Sequence, residues 1–191
     1  MAHAPRRSYV DEICELVGWQ AGDFRPELDW TTVERELGTP LPSDYKELLT
    51  RFPSGGFRDI MFSNPGEGTE ECANLKRENA ELLEIFADED LGYLRGVSYR
   101  LFPEPGGIYP WGSDGAGGTF WWVTGSADPD DWHVAYNDRD RWHDEDPGPM
   151  TRVIRDLLVS TGEDNIFGWD VSGQPVDFTG YWRDRHISHP G

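Results

Sequence analysis

The chain has 191 residues and a formal charge of −19, from 36 acidic against 17 basic side chains. Such a surface repels nucleic acid and anionic membranes, and it attracts basic proteins at a rate that falls as salt rises. Nine Trp, nine Phe and seven Tyr supply apolar area for a core in one domain, which excludes a wholly disordered chain.

The first predicted helix runs from Ser8 to Val17. Val10, Ile13, Cys14 and Val17 share one helical face, with Ser8 as N-cap and Gly18 as stop. The second lies in "DWTTVERELG", where Thr31 and Glu34 have the spacing of a capping box and Gly38 ends the helix. The third occupies "LPSDYKELLTRFPSGGF". Pro42 suits its first turn, Tyr45, Leu48, Leu49 and Phe52 form its apolar stripe, and Gly55 and Gly56 terminate it at positive φ.

"FRDIMFS" (57–63) reads as one short strand. Residues 69–88 read as the longest helix, with Leu75, Leu82, Leu83 and Phe86 on its apolar side. Four aromatic runs then read as strands joined by turns: "GVSYRLF", "GIYPWGS", "TFWWVTG" and "WHVAYND". "SDGAGG" between two of them is a hairpin signal, with Asp114 in the turn, and not a phosphate loop, which would need a Lys or a helix-opening glycine motif. "PMTRVIRDLLVSTG" returns to helix, and residues 163–191 are expected to pack irregularly on the body. Helices, then neighbouring strands, then a helix describe an α+β fold. The expectation is a single domain over 1–191 with its core at about 29–162. N-terminal helices and a C-terminal helix pack against a mixed, largely antiparallel sheet.

Chemistry-bearing residues concentrate in "DPDDWHVAYNDRDRWHDEDPG", where residues 128–146 hold eight acids and two arginines. Several readings stay open. His133 and His143 with nearby carboxylates would make a metal site, but no metal-binding motif spaces them. Two facing carboxylates would make a hydrolase, provided they stand about 5–9 Å apart. A solvated acidic loop needs no ligand. The fourth reading is an acidic surface docking a basic partner through Asp128, Asp130, Asp131, Asp138, Asp140, Asp144, Glu145 and Asp146. Trp111, Trp121, Trp122, Trp132 and Trp142 form either a binding platform or core. Strand alternation predicts one of Trp121 and Trp122 buried and the other exposed. No nucleophile elbow is present, and Cys14 and Cys72 read as buried thiols outside any zinc or disulfide framework. The expectation is therefore no catalytic residues, no metal and no cofactor. "MAHAPRRSYVDEICEL" lacks a signal-sequence apolar run, and no segment reaches the roughly 20 apolar residues of a membrane span. The expected location is the cytoplasm, unless a partner domain or a secretion system exports the chain.

"DWTTVERELGTPLPSDYKELLTRFPSGGF" resembles the N-terminal signature of the SUKH superfamily, related to yeast cell-wall-assembly regulators of the Smi/Knr type. The matching positions are Trp30, Val33, Glu34, Leu37, Gly38, Leu41, Pro42, Asp44, Tyr45, Leu48, Leu49, Gly55 and Gly56. "YPWGSDGAGGTFWWVTGSADPDDWHVAYND", with Trp111 and Gly112, and the helix "VIRDLLVSTG" are similar to later parts of the family pattern. The resemblance spans about residues 29–162. It implies an α+β binding domain without a catalytic set. Bacterial relatives look like immunity proteins that neutralise a cognate toxin, often a nuclease, and eukaryotic relatives like scaffolds or regulators. The expected partner is a cognate toxin or other basic protein; the sequence leaves the oligomeric state open. A scaffold or regulatory module is the alternative, and a carboxylate-dependent hydrolase the third reading.

Overall fold

The computed structural model describes residues 7–20, 26–67, 69–87, 99–138, 141–143 and 146–180. Three short helices come first: α1 (Tyr9–Leu16), α2 (Trp30–Leu37) and α3 (Ser43–Arg51). A tight hairpin follows, β1 (Gly55–Phe57) and β2 (Ile60–Phe62), and then the long helix α4 (Thr69–Ala87). The central strands are β3 (Arg100–Leu101), β4 (Gly107–Ser113), β5 (Thr119–Val123) and β6 (His133–Asn137). Helix α5 (Met150–Val159) and strand β7 (Phe178–Gly180) are the last described elements. Among the described residues the sheet has seven strands in the order β6-β5-β4-β2-β1-β7, with β3 beside β4. All pairs are antiparallel except β3–β4. The α+β class and the mixed, largely antiparallel sheet are as the sequence implies.

Alternation along the strands sends side chains to two different cores. Phe57, Tyr109, Trp111, Phe120, Trp122, Val134 and Tyr136 meet the apolar stripes of α1, α2, α3 and α5. Ile108, Trp121, Ala135 and Trp142 build a second cluster, against which Leu83 and Phe86 of α4 pack. The Phe86 ring stands edge-on to Trp121 at 5.0 Å. Both Trp121 and Trp122 are therefore buried, at 0% and 2% exposure. The expected exposure of one of them fails because α4 covers the second face. The Trp121 indole N–H is satisfied by the Asn137 side-chain oxygen at 2.6 Å.

Three local expectations also change. The Thr31–Glu34 capping box does not form. Asp29 is the N-cap of α2, accepting from the Thr32 backbone N–H and hydroxyl. Glu34 instead accepts from the Leu41 backbone N–H at 3.0 Å and from Lys46 Nζ at 2.6 Å, so it ties α2 to the next helix. Gly55 and Gly56 do not stop α3 at positive φ; both are strand residues of β1. A Cβ on Gly55 would sit 2.5 Å from the Phe178 ring of β7. Glycine is required there for close approach between strands. Finally, "FRDIMFS" is no single strand, because Arg58 takes φ 49° and turns the chain between β1 and β2.

The segment after Glu163 is more ordered than expected. Phe167 is buried and stacks on Trp169 at 4.3 Å, Val171 is buried, and β7 joins the sheet beside β1. Of "GVSYRLF", Arg100–Leu101 form a strand and residues 96–98 lie outside the described residues. Cys14 is a half-buried free thiol whose pKa is pushed up by burial; the Cys72 side chain lies outside the described residues. Among the described residues, no helix is long and apolar enough to cross a membrane.

Candidate functional site

The α3 segment has no catalytic arrangement, yet distant residues hold it at both ends. Helix ends leave unpaired N–H and C=O groups, and Pro42 offers no side-chain cap. The Asp130 carboxylate supplies one from across the fold, accepting the Ser43 N–H at 2.6 Å. At the other end the buried Asn64 side chain donates to the Leu49 and Phe52 carbonyls at 2.8 and 2.6 Å. The Trp19 indole N–H takes the Arg51 carbonyl at 2.8 Å.

Helix α5 repeats the device. Pro149 precedes it without a side-chain cap, and Asp44 of α3 accepts from both the Thr151 N–H and hydroxyl at 2.9 Å. Burial pushes the Asp44 carboxyl above the usual range, with the Thr151 hydrogen bonds acting against that. Arg58 closes the other end, donating to the Leu157 and Ser160 carbonyls at 2.5 and 3.0 Å.

The other signature positions pack. Tyr45 is edge-on to Trp122 at 5.0 Å, and half-buried Trp30 stands 6.4 Å from Tyr45. Leu41 is buried, and Gly38 takes φ 80° as the C-cap of α2. Trp111 packs 5.1 Å from Phe120, and Gly112 leaves room for the Met61 carbonyl, which a Cβ would meet at 2.7 Å.

The acidic stretch divides into two groups. Asp128, Asp130 and Asp131 are exposed in and beside a 3-10 turn before β6. Asp128 caps that turn through the Asp130 N–H, and Asp131 accepts from Ser126 at 3.4 Å. The chain then folds back along β6 through bridges Asn137–Trp142 and Val134–Asp146, covering the sheet edge. Asp138 is half-buried, 2.9 Å from His143 and 3.2 Å from Arg141. Burial acts to raise its pKa, but those two partners outweigh burial and hold it below the usual range. Asp146 pairs with Arg152 and accepts the Gly148 N–H. Asp140, Asp144 and Glu145 lie outside the described residues.

His133 opens β6 and is exposed, while His143 pairs with Asp138 beyond the strand's other end, so the two do not converge. Among the described residues, no group of three His, Cys, Asp or Glu is placed to hold a metal ion. Asp114 organises the "SDGAGG" hairpin, accepting the Ala116 and Gly118 N–H groups at 2.7 and 2.8 Å. Its other oxygen accepts the Tyr136 hydroxyl at 2.8 Å. Burial, reinforced by that carboxylate, drives the Tyr136 phenol far above its usual range.

A concavity lies elsewhere among the described residues, beside the C-terminal half of α5 and the loop after it. It is a groove of about 830 Å³ whose lining includes Asp146, Asp156, Glu163 and Asp164 with Val159 and Ile166. No lysine or arginine is among its described lining residues. Of the acidic stretch 128–146 that the sequence singles out, Asp146 lines this groove; Asp156, Glu163 and Asp164 lie outside that stretch. Helical spacing places Asp156 and Val159 three residues apart on one face of α5, which was the available signal.

A family model described as SMI1-KNR4 cell-wall (SUKH_6) matches residues 27–151. The chain belongs to this family, within the SUKH superfamily. Membership supports a protein-interaction or immunity role of the SMI1-KNR4 kind. No curated protein and no solved structure matches the chain.

Proposed function

We propose that this chain is an immunity protein that neutralises a cognate toxin of a bacterial polymorphic toxin system by binding it. Family membership carries the reading. The charge of −19 supports a basic partner, such as a nuclease domain, whose own surface must attract nucleic acid. The mechanism is occlusion: acidic side chains steer encounter, and apolar contacts beside them slow release. The described acids of the 128–146 stretch are engaged in turn, cap or ion-pair contacts, which counts against their use as a pair of facing catalytic carboxylates. Co-expression with the toxin domain encoded beside it should restore growth of a sensitive host. No protection and no binding at low salt would overturn the proposal.

The family description, SMI1-KNR4 cell-wall, favours a second reading, a scaffold or regulatory module. Affinity capture from the native host separates the two: a regulator recovers housekeeping partners, an immunity protein its toxin.

A further inference from the structure

We infer that the groove beside α5 is where a basic partner docks, and that it takes a segment carrying arginine or lysine next to an apolar residue. The inference rests on the protein-binding reading above and assigns that reading a place.

The groove has a divided lining. Asp146 and Asp156 are already paired, with Arg152 contacting both and Arg155 2.9 Å from Asp156. These pairs fix one wall. Glu163 and Asp164 are exposed on the loop that forms the other side, and neither forms an ion pair with a described residue. An incoming cation would meet these two. Val159 is 47% exposed, second only to Ile85 among the exposed large apolar side chains of the described residues, and it lines the groove with half-buried Ile166. A cationic side chain with a long apolar stem, beside an aliphatic neighbour, satisfies both halves.

The 128–131 turn is the competing surface, and it is less suited. It is built on a 3-10 turn whose acids already have internal partners: Asp130 caps α3, and Asp128 caps the turn itself. The wall of the groove, by contrast, is tied by side-chain hydrogen bonds. Arg58 holds the end of α5, and Asn165 ties the following loop by donating to the Gly162 and Trp169 carbonyls at 2.8 and 3.0 Å. Such support lowers the ordering entropy that a docking partner would otherwise face.

The test is an ¹⁵N NMR titration of the full chain at low salt with the peptide acetyl-Gly-Arg-Val-Arg-Gly-amide. Peptides with Gln for Arg, or Ser for Val, serve as controls. Backbone shifts are expected to concentrate at 156–168 and at His143 and Asp146, and to weaken with either control peptide. The double variant Glu163→Gln/Asp164→Asn should weaken binding about three- to tenfold, as expected for losing two exposed charge contacts. Asp128→Asn/Asp131→Asn should change it less than twofold. Shifts that follow exposed carboxylates everywhere, or centre on 126–131, overturn the assignment; so does an equal effect of the two double variants. Toxin protection is measured separately on the same variants. Protection that survives loss of the groove charges sinks the groove and leaves the immunity reading standing.

Discussion

Asp44 is a carboxyl group in a costly place. It lies between α3 and α5 with both Thr151 donors on one of its oxygens. Truncating Asp44→Ala would strand a buried N–H and a buried hydroxyl, so a loss of about 1–3 kcal/mol is expected in urea unfolding at neutral pH. Asp44→Asn keeps an acceptor for the Thr151 N–H and should lose less. The two also differ in pH dependence. The folded-state pKa of Asp44 is raised by burial, so ionisation opposes folding. Its favourable contribution is full below the ordinary Asp value of about 3.9 and falls as pH rises through the raised value. The stability of the unmodified chain relative to Asp44→Asn should therefore decline as pH rises from 4 to 7. A flat or rising difference would contradict the assignment of burial as the dominant effect. The sequence made Asp44 visible as a signature position. Its partner is 107 residues away in the chain, so no local pattern could have named Thr151.

At the level of elements, glycines separate two kinds of requirement. Gly55 packs against the Phe178 ring, and any Cβ collides with β7. Gly18 sits at φ 63° with open space around it. Gly18→Ala should lower stability by about 1 kcal/mol through backbone conformation alone. Gly55→Ala should lower it more, because the neighbouring strand must move. Thermal unfolding of both variants decides this, and an equal loss would place β7 away from Gly55. Trp121 offers a further check. Packed by α4 and bonded to Asn137, it should lose about 3–5 kcal/mol as Trp121→Ala. A loss under 1 kcal/mol would mean that α4 does not cover that face. Helix positions were legible in the sequence because apolar spacing and stop signals are local. Strands β4, β5 and β6 were legible as aromatic runs between turns. What could not be read were the effects of elements far apart in sequence: the second covered face, the strand identity of Gly55 and Gly56, and the late arrival of β7.

For the whole molecule, the fold buries the apolar signature residues Val33, Leu37, Leu41, Tyr45, Leu48 and Leu49, uses the signature carboxylates Glu34 and Asp44 to link elements, and leaves Asp128, Asp130, Asp131, Glu163 and Asp164 exposed. Glu34, Asp44, Asn64 and Asp130 bind α2, α3 and α5 into one support, and that support presents the acidic turn and the groove. The acidic surface as a class was legible from charge alone. Its division into capping acids and uncommitted ones was not, since Asp130 and Glu163 look alike until Ser43 is seen beside one of them. Electrostatic steering of a basic partner predicts an association rate that falls steeply between about 50 mM and 500 mM salt, with dissociation changing less. Stopped-flow or surface-binding kinetics with the partner would show this, and a salt-independent association rate would assign the binding to apolar contacts.

The central claim is that this chain binds and silences a basic toxin. Its most direct measurement is growth of a host that expresses the neighbouring toxin domain, with and without this protein, paired with binding of the two purified chains at low salt. The account predicts restored growth and a one-to-one complex that Glu163→Lys/Asp164→Lys weakens. Growth arrest undiminished by the protein, together with no complex at low salt, would contradict it.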